Sequence, residues 1–276
     1  MAKISYRIKG EGKILICLHG YAGSVLHWDA VAESLAKQFQ VVIPNLTHLY
    51  AGQEQFGFSR QIDELANFIQ ENFPNQKISL AGISYGGALS WGLALKYPEL
   101  IDKVVFVNPM PPNPAKYFAM ASLNVFFRIP LSVKMVYLFL SLPVGKYFLK
   151  EAAGVFRNLQ GDFEEHRIES MRGRKLQFMS HVLWKFSWIL RKEKWDMWEQ
   201  KLQAWSHDCL LIYDKKDPLF HFHFYDQFSK IISSTNVVTT QGAGHISVKQ
   251  ESKLIAGAIR EYLLRDYYQD AEGYNG

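Results

Sequence analysis

Short, continuous apolar runs recur along the first 109 residues of the chain and again after residue 206. Runs of this kind are typical of strands that are buried on both faces of a parallel sheet. The predicted strands are Lys13–His19, Gln40–Pro44, Lys77–Gly82, Lys103–Pro109, Cys209–Asp214 and Asn236–Thr240.

Between these runs, apolar residues recur at the three- and four-residue intervals of an amphipathic helix. The predicted helices are Trp28–Phe39, a segment from Ser59 to Phe73 with Ser59 as its N-cap, Ala88–Tyr97, Phe222–Ile231, and a C-terminal helix with Leu254, Ile255, Ala258, Ile259, Tyr262 and Leu263 on one face. This alternation predicts an α/β fold, in which helices flank a mostly parallel central sheet.

The alternation stops between residues 110 and 205, where the pattern is helical and no buried strand is predicted. The proline-rich stretch Met110–Pro114 marks the boundary. We therefore expect a core domain formed by residues 1–109 and 206–276, interrupted by a helical cap at 110–205.

Positive charge is concentrated in the predicted cap. Residues 110–205 contain 15 Lys and Arg against 8 Asp and Glu, a net charge of +7, whereas the whole chain carries +5, so the remainder is near −2. The favoured interpretation is a solvated outer face over a packed, tryptophan-rich inner face. Two alternatives stay open: a rim that attracts an anionic or acyl substrate, and a surface that contacts a membrane or an acidic partner.

The remaining bulk properties narrow the class of protein. The N-terminus lacks the pattern of a secretory signal and no apolar run is long enough to span a membrane, so we expect a cytoplasmic protein without stable membrane insertion. Cys17 and Cys209 lie in apolar runs and are expected to be buried thiols. The sequence has no nucleic-acid-binding motif and no Cys/His cluster with zinc spacing, and it leaves the oligomeric state open.

The stretch Gly82-Ile83-Ser84-Tyr85-Gly86 has the pattern G-x-S-x-G between a predicted strand and a predicted helix. So sharp a turn requires strained backbone at the serine and small neighbours, and it raises the hydroxyl above the carboxyl edge of the sheet. Ser84 is therefore the candidate nucleophile. The alternative is an ordinary glycine-rich turn.

A serine hydroxyl needs a base, and the base needs an acid that orients it. His245 lies in a glycine-rich loop after the last predicted strand, and Asp217 lies in a turn after the preceding strand. The order Ser84, Asp217, His245 is the one that this architecture requires. Asp214 and Asp208 are rival acids, but Asp217 is favoured because Asp214 is a candidate turn residue and Asp208 precedes the strand.

Two backbone N–H groups are candidates for an oxyanion hole. Tyr21 follows His19-Gly20 after a buried strand, and Tyr85 follows the candidate nucleophile. Both would donate from the main chain, so their side chains would shape the pocket instead. His19 is expected to be structural, with its ring bonded to nearby backbone.

Three further polar residues have weaker claims to a functional role. His221 and His223 have the spacing of a metal pair, but no third ligand is in view, so packing at a helix start is favoured and no metal is predicted. Asn108 ends a strand at the same edge as the candidate site. A turn role before Pro109 is favoured for it over lining the pocket.

With these motifs in this order, the chain resembles the α/β-hydrolase fold superfamily, in particular lidded serine hydrolases such as esterases, carbon–carbon bond hydrolases and cofactor-free haloperoxidases. The resemblance covers nearly the whole chain. It implies an eight-stranded, mostly parallel sheet with a helical cap inserted after the sixth strand. The matching motifs are His19-Gly20-Tyr21, Gly82-x-Ser84-x-Gly86-Gly87, Asp217-Pro218 and Gly244-His245.

Two positions depart from the family pattern. Asn45 stands where many relatives have an acid, and the loop that follows it is different. Asp214 stands where a glycine is common before the acid turn. The first departure bears on loop shape more than on mechanism, and the second places a rival acid close to Asp217.

The expected function is that of a serine hydrolase that cleaves an ester or related acyl bond of a small, apolar or anionic substrate. It would work through a Ser-His-Asp triad and an acyl-enzyme, without a cofactor or a metal. One alternative is a carbon–carbon bond hydrolase, lyase or cofactor-free peroxidase with the same site. The other is a non-catalytic fold member that binds a ligand or a partner. The substrate-binding residues are not predicted.

Overall fold

The computed structural model describes residues 4–21, 23–47, 49, 57–119, 135, 184–232 and 236–273. Its strands are β1 (Tyr6–Lys9), β2 (Lys13–Leu18), β3 (Phe39–Pro44), β4 (Ile78–Ile83), β5 (Ile101–Val107), β6 (Cys209–Asp214) and β7 (Asn236–Thr240). Its helices are α1 (Asp29–Leu35), α2 (Phe58–Asn72), α3 (Tyr85–Lys96), the single turn α4 (Pro114–Tyr117), α5 (described over 184–192), α6 (Trp195–Leu202), α7 (Phe222–Ile231), the single turn α8 (Ser247–Gln250) and α9 (Ser252–Gly273).

The strands form one sheet in the order β1-β3-β2-β4-β5-β6-β7. β1 pairs antiparallel with β3, and every other neighbouring pair is parallel. The predicted fold class is therefore confirmed. The described residues form seven strands instead of the eight that the resemblance implies, and the inserted segment follows the fifth of them, β5. The side chains of β1 are largely exposed, as expected where a sheet ends.

The core lies on both faces of this sheet, because successive side chains of a strand point to opposite faces. On β2, Ile14, Ile16 and Leu18 pack with α2 and α3 on one face. Leu15 and Cys17 pack with α1 and α9 on the other face. A strand that is apolar at every position is therefore one that is covered on both sides.

Three details of the helix predictions are wrong. α2 begins at Phe58 with Gly57 at its N-cap, so Ser59 lies inside the helix and does not cap it. Phe39, which helical spacing assigned to the first helix, begins β3. Leu254 is 43% exposed and lies off the buried face of α9.

Glu193, which lies between α5 and α6, caps α2 in place of a local side chain. Its Oε2 accepts a hydrogen bond from the Phe58 N–H at 3.1 Å, and its Oε1 accepts one from Nε1 of Trp198 at 3.0 Å. Gly57 at the N-cap has no side chain that could supply this acceptor. A carboxylate at this position satisfies an N-terminal N–H group and lies at the positive end of the helix dipole. Glu193 therefore joins the inserted segment to the core.

The described parts of the inserted segment pack on the core through aromatic side chains. The rings of Trp195 and Trp198 on α6 lie 5.2 and 5.4 Å from that of Phe58, and Trp198 lies 5.5 Å from Trp91 of α3. These contacts agree with the packed inner face favoured from the sequence. Residues 120–134 and 136–183 of the predicted cap lie outside the described residues, so its extent stays a prediction.

Both cysteines are buried free thiols, as predicted. Burial raises the pKa of the Cys17 thiol well above its ordinary value, so this group is unreactive. None of the helices in the described part of the chain combines the length and the apolar character that a membrane span needs.

Candidate active site

The polar residues singled out in the sequence follow strands that end at one edge of the sheet. β2, β4, β5, β6 and β7 run parallel, so their carboxyl ends face the same side. Tyr21 follows β2, Ser84 follows β4, Asn108 follows β5, Asp217 follows β6 and His245 follows β7. The carboxyl edge of a parallel sheet is where α/β proteins bind their ligands.

Ser84 is the single residue between β4 and α3. Its backbone has φ 55° and ψ −119°, a strained conformation that costs a residue with a side chain about 1–3 kcal/mol. The Ser84 N–H donates to the Val107 carbonyl at 3.1 Å, and the Ser84 carbonyl accepts from the Met110 N–H at 2.8 Å. The strained strand–turn–helix that the G-x-S-x-G pattern predicts is therefore present, and β5 holds it.

Close approach of the backbone explains the glycines around this turn. A Cβ on Gly86 would overlap the carbonyl oxygen of Leu18, and a Cβ on Gly82 would overlap the carbonyl oxygen of Gly86. A Cβ on Gly20 would lie 3.3 Å from the Cβ of Ser84. The loop after β2 therefore runs directly beside the candidate nucleophile.

Asp217 is buried, and both of its carboxylate oxygens are hydrogen-bonded. Oδ1 accepts from the N–H groups of Leu219 at 2.7 Å and Phe220 at 3.3 Å. Oδ2 accepts from Nδ1 of His245 at 2.8 Å and from the hydroxyl of Tyr225 at 2.7 Å. Burial alone would raise the pKa of Asp217, but the attraction of His245 and these hydrogen bonds hold it below its ordinary value. Asp217 is therefore ionised at neutral pH and orients the imidazole with a proton on Nδ1.

Asn108 holds the loop that carries His245. Its Nδ2 donates to the carbonyls of His245 at 2.9 Å and Gly244 at 3.2 Å, and to the hydroxyl of Ser247 at 3.0 Å. The other ring nitrogen of His245, Nε2, is buried and has no hydrogen-bond partner, so it is not bonded to the Ser84 hydroxyl in this structure. Catalytic hydrogen bonds of this type are often long in the absence of substrate.

The interpretation of Asn108 as a turn residue is incomplete. The residue has a positive φ of 40°, as a turn would require, but its side chain is fully buried and connects two strands. Its Oδ1 accepts from the Asp214 N–H at 2.7 Å. Apart from its place at a strand end, nothing in the sequence indicates these partners.

The rival acid Asp214 has a different role. Its Oδ2 accepts from the Thr240 hydroxyl and from the Ala243 N–H, each at 2.8 Å, and its Oδ1 accepts from the Lys216 N–H at 2.7 Å. These bonds tie the end of β6 to the end of β7 and to the loop before His245. At a position where the family resemblance implies that a glycine is common, this chain therefore has a buried carboxylate that braces two loops.

The other candidates lie apart from this network. Asp208 pairs with Arg265 at 2.6 Å on the surface. His221 and His223 stack on each other at the start of α7, with ring centroids 4.6 Å apart. Within the described residues, no group of three His, Cys, Asp or Glu side chains is arranged to hold a metal ion.

His19 has the structural role predicted for it. Its Nδ1 donates to the carbonyl of Gly20 at 2.8 Å, and its Nε2 accepts from the Leu46 N–H at 3.0 Å. The buried ring therefore joins the loop after β2 to the loop after β3.

Aromatic rings pack together around Tyr21 and Tyr85, beside the turn that carries Ser84. The ring of Tyr21 lies 5.0 Å from that of Tyr85 and 4.6 Å from that of Phe186 on α5. The Tyr85 hydroxyl donates to Oε1 of Gln61 at 3.0 Å, so it is turned away from solvent. The two tyrosine side chains thus form a wall. Donation by their backbone N–H groups to an oxyanion stays a prediction.

A second aromatic wall lies on the histidine side. The ring of Phe220 lies edge-on to that of His245 at 5.7 Å and stacks on that of Phe118 at 5.6 Å. Phe118 and Phe220 also pair through their backbones. The beginning of the inserted segment is therefore anchored beside the loop that carries Asp217.

The sequence matches one protein family over most of its length. The model of the family described as alpha/beta hydrolase fold matches residues 13–252. The chain belongs to the α/β-hydrolase family. The matched range of this α/β-hydrolase includes the inserted segment and every described strand except β1.

The names of the curated relatives of this α/β-hydrolase describe different activities. A pimeloyl-[acyl-carrier protein] methyl ester esterase of Nitrosomonas europaea is 32% identical over 114 residues, which are 40% of this chain and 43% of the esterase. A cis-3-alkyl-4-alkyloxetan-2-one decarboxylase of Xanthomonas campestris pv. campestris is 21% identical over 95% of this chain and 93% of the decarboxylase. The chain spans less than half the length of the first curated relatives it matches.

Solved structures agree with the fold. A thermophilic esterase from Thermogutta terrifontis has a TM-score of 0.69 and 19% identity, over 95% of this chain and 93% of the esterase. At this identity the likeness establishes the α/β-hydrolase fold alone.

Proposed function

We propose that this α/β-hydrolase is a serine hydrolase that cleaves an ester or related acyl bond of a small, apolar or anionic substrate. The observation that carries the proposal is the buried Asp217–His245 hydrogen bond at the sheet edge where Ser84 lies on a strained turn. The sequence similarity to an esterase, which covers 40% of this chain, supports an ester-cleaving reaction.

In the proposed reaction, Ser84 Oγ attacks the carbonyl carbon of the ester while its proton passes to Nε2 of His245. The tetrahedral intermediate collapses, His245 returns the proton to the leaving alkoxide, and an acyl-serine remains. Water then attacks the acyl-serine with His245 as base, which releases the acid and restores the Ser84 hydroxyl. Asp217 stays ionised throughout and stabilises the imidazolium.

The N–H groups of Tyr21 and Tyr85 are the proposed oxyanion donors. The closeness of Gly20 to Ser84 supports this role for the loop after β2, and the position of Tyr85 at the start of α3 supports it for the second donor. One such donor is worth about 2.7–4 kcal/mol of transition-state stabilisation.

The aromatic walls support an apolar acyl or alcohol group. Tyr21 and Phe186 stand on one side of the site, and Phe118 and Phe220 on the other. Flat apolar surfaces of this kind bind hydrocarbon through burial, at about 25 cal/mol per Å². We therefore expect turnover to depend on the length of the acyl chain.

The test is hydrolysis of p-nitrophenyl esters of graded chain length by the wild type, Ser84→Ala and Ser79→Ala. Ser79 lies on the same strand, away from the sheet edge, so its variant controls for the loss of a hydroxyl from β4. We expect Ser84→Ala to lose turnover by roughly a million-fold and Ser79→Ala to retain it. Turnover by Ser84→Ala at the rate of the wild type would refute the proposal.

A second candidate keeps the residues and changes the bond that is cleaved. The relative that spans nearly the whole chain is named as a decarboxylase, which breaks a carbon–carbon bond. No turnover on the ester panel, together with Ser84-dependent cleavage of a carbon–carbon bond in a β-lactone or a vinylogous diketone, would favour this candidate.

A further inference from the structure

Two side-chain donors share one oxygen of Asp217. Nδ1 of His245 donates to Oδ2 at 2.8 Å, and the hydroxyl of Tyr225 donates to the same Oδ2 at 2.7 Å. Tyr225 comes from α7, an element that carries none of the proposed triad, and it is fully buried. The Asp217–His245 pair thus has a third member that the sequence pattern does not mark.

Sharing an acceptor has a definite electrostatic effect. A hydrogen bond to a carboxylate stabilises its charge and lowers its basicity. A second donor on the same oxygen therefore weakens the hold of that oxygen on a protonated imidazole. The N–H groups of Leu219 and Phe220 bind the other oxygen, Oδ1, and fix the carboxylate plane independently of Tyr225.

We propose that Tyr225 is a positioning residue that limits how tightly Asp217 holds the imidazolium of His245, and so sets the lower end of the working pH range. The proposal rests on the proposed function, because it assigns His245 the role of general base.

The charged surroundings keep Tyr225 in its donor form. Burial, and then the negative charges of Asp217 and Asp214, raise the pKa of Tyr225 well above its ordinary value. The titratable groups that face it in the described structure are these two carboxylates, with His245 behind Asp217 and with Tyr213 and its partner Asp226 alongside. The hydroxyl therefore remains protonated across the working range.

The chain supplies a matched control for Tyr225. The ring of Tyr213 stacks on that of Tyr225 with centroids 4.9 Å apart, but its hydroxyl donates to Oδ1 of Asp226 at 2.9 Å. Tyr225→Phe and Tyr213→Phe thus delete the same atom from neighbouring rings, and only the first deletion removes a bond to Asp217.

The first measurement is the pH profile of kcat/KM for ester hydrolysis. In Tyr225→Phe the carboxylate loses a donor and becomes more basic, so the base stays protonated to higher pH. We expect the acid limb of the profile to move up by about 0.5–1 pH unit, with KM within about twofold of the wild type. Tyr213→Phe should keep the wild-type limb. An unmoved limb in Tyr225→Phe, or an equal shift in both variants, would overturn the proposal.

The second measurement does not depend on activity. The Nδ1 proton that His245 shares with Asp217 is expected as a strongly downfield resonance in the proton NMR spectrum. It should move further downfield in Tyr225→Phe and stay in place in Tyr213→Phe, because a more basic acceptor strengthens the shared bond. The resonance can move as expected even if Ser84→Ala hydrolyses the esters at the wild-type rate. In that case the proposed reaction is wrong, and the effect of Tyr225 on the Asp217–His245 pair stands. If it does not move, the inference fails whatever the reaction is.

A second variant covers the case in which Tyr225→Phe does not fold. Incorporation of 3-fluorotyrosine at position 225 makes the hydroxyl a stronger donor and retains the bond to Asp217. The shift should then have the opposite sign, with the acid limb at lower pH and the resonance upfield. A shift of the same sign as in Tyr225→Phe, or none, would overturn the inference.

Discussion

Asn108 connects the segments that carry the three proposed catalytic residues. It follows Val107, whose carbonyl accepts from the Ser84 N–H, and its Oδ1 accepts from Asp214 at the end of the strand that leads to the proposed acid. Its Nδ2 binds the backbone of His245 at 2.9 Å. One buried amide thereby fixes the relative position of loops that are far apart in sequence.

Replacing Asn108 should therefore affect both stability and turnover. Asn108→Ala leaves the Asp214 N–H and the loop carbonyls without partners, and we expect it to cost about 2–4 kcal/mol of unfolding free energy. Because the loop that carries His245 is loosened, kcat should fall while KM changes little. Urea unfolding and steady-state kinetics measure the two effects.

Asn75 provides the control for backbone strain at Asn108. It also has a positive φ, 61°, but it lies in an exposed turn. Asn75→Ala should lose about 1 kcal/mol from strain alone and keep kcat. Equal losses of stability in the two variants, with kcat retained in both, would contradict the bracing role of Asn108.

Local sequence marks some residues of the candidate site and leaves others unmarked. Ser84 lies in a spaced glycine motif, and Asp217 and His245 each follow a clear apolar run. Asn108 and Tyr225 have no such mark, because their partners are a distant backbone and a distant carboxylate. An asparagine before proline and a tyrosine on an apolar helix face look the same with or without these contacts.

Among the secondary-structure elements, the central strands could be predicted because burial on both faces makes them continuous apolar runs. β6, α7 and β7 begin and end where the pattern predicts. β1 was not predicted, because its four residues are mostly exposed and mix apolar with charged side chains. Helix starts were the weakest point, since α2 takes its cap from Glu193, which lies 135 residues after Phe58.

The cap on α2 predicts a measurable link between the inserted segment and the core. Glu193→Gln removes the charge at the helix N-terminus and leaves one oxygen for two donors, so we expect a loss of about 0.5–2 kcal/mol in unfolding free energy. Glu199→Gln is the control, because Glu199 pairs with a half-exposed Lys116 on the surface. Such a pair contributes at most about 1 kcal/mol. A larger loss in Glu199→Gln than in Glu193→Gln would contradict the capping role.

At the scale of the whole molecule, the parallel sheet accounts for the site. Six parallel strands deliver their carboxyl ends to one edge, so residues that are far apart in sequence follow strands with a common end. Strand rhythm and the order of motifs were sufficient to predict this arrangement. No sequence pattern predicts where the positive charge of residues 110–205 lies in the fold. Most of that segment is outside the described residues.

The proposed function depends on Ser84 being a nucleophile that His245 and Asp217 activate. The most direct measurement is labelling of the folded protein with a fluorophosphonate, followed by mass spectrometry of its peptides. We expect a single phosphonylated residue, Ser84, no label in Ser84→Ala, and strongly slowed labelling in His245→Ala. A folded wild-type protein that takes no label, or takes it on another serine, would show that Ser84 is not the activated nucleophile.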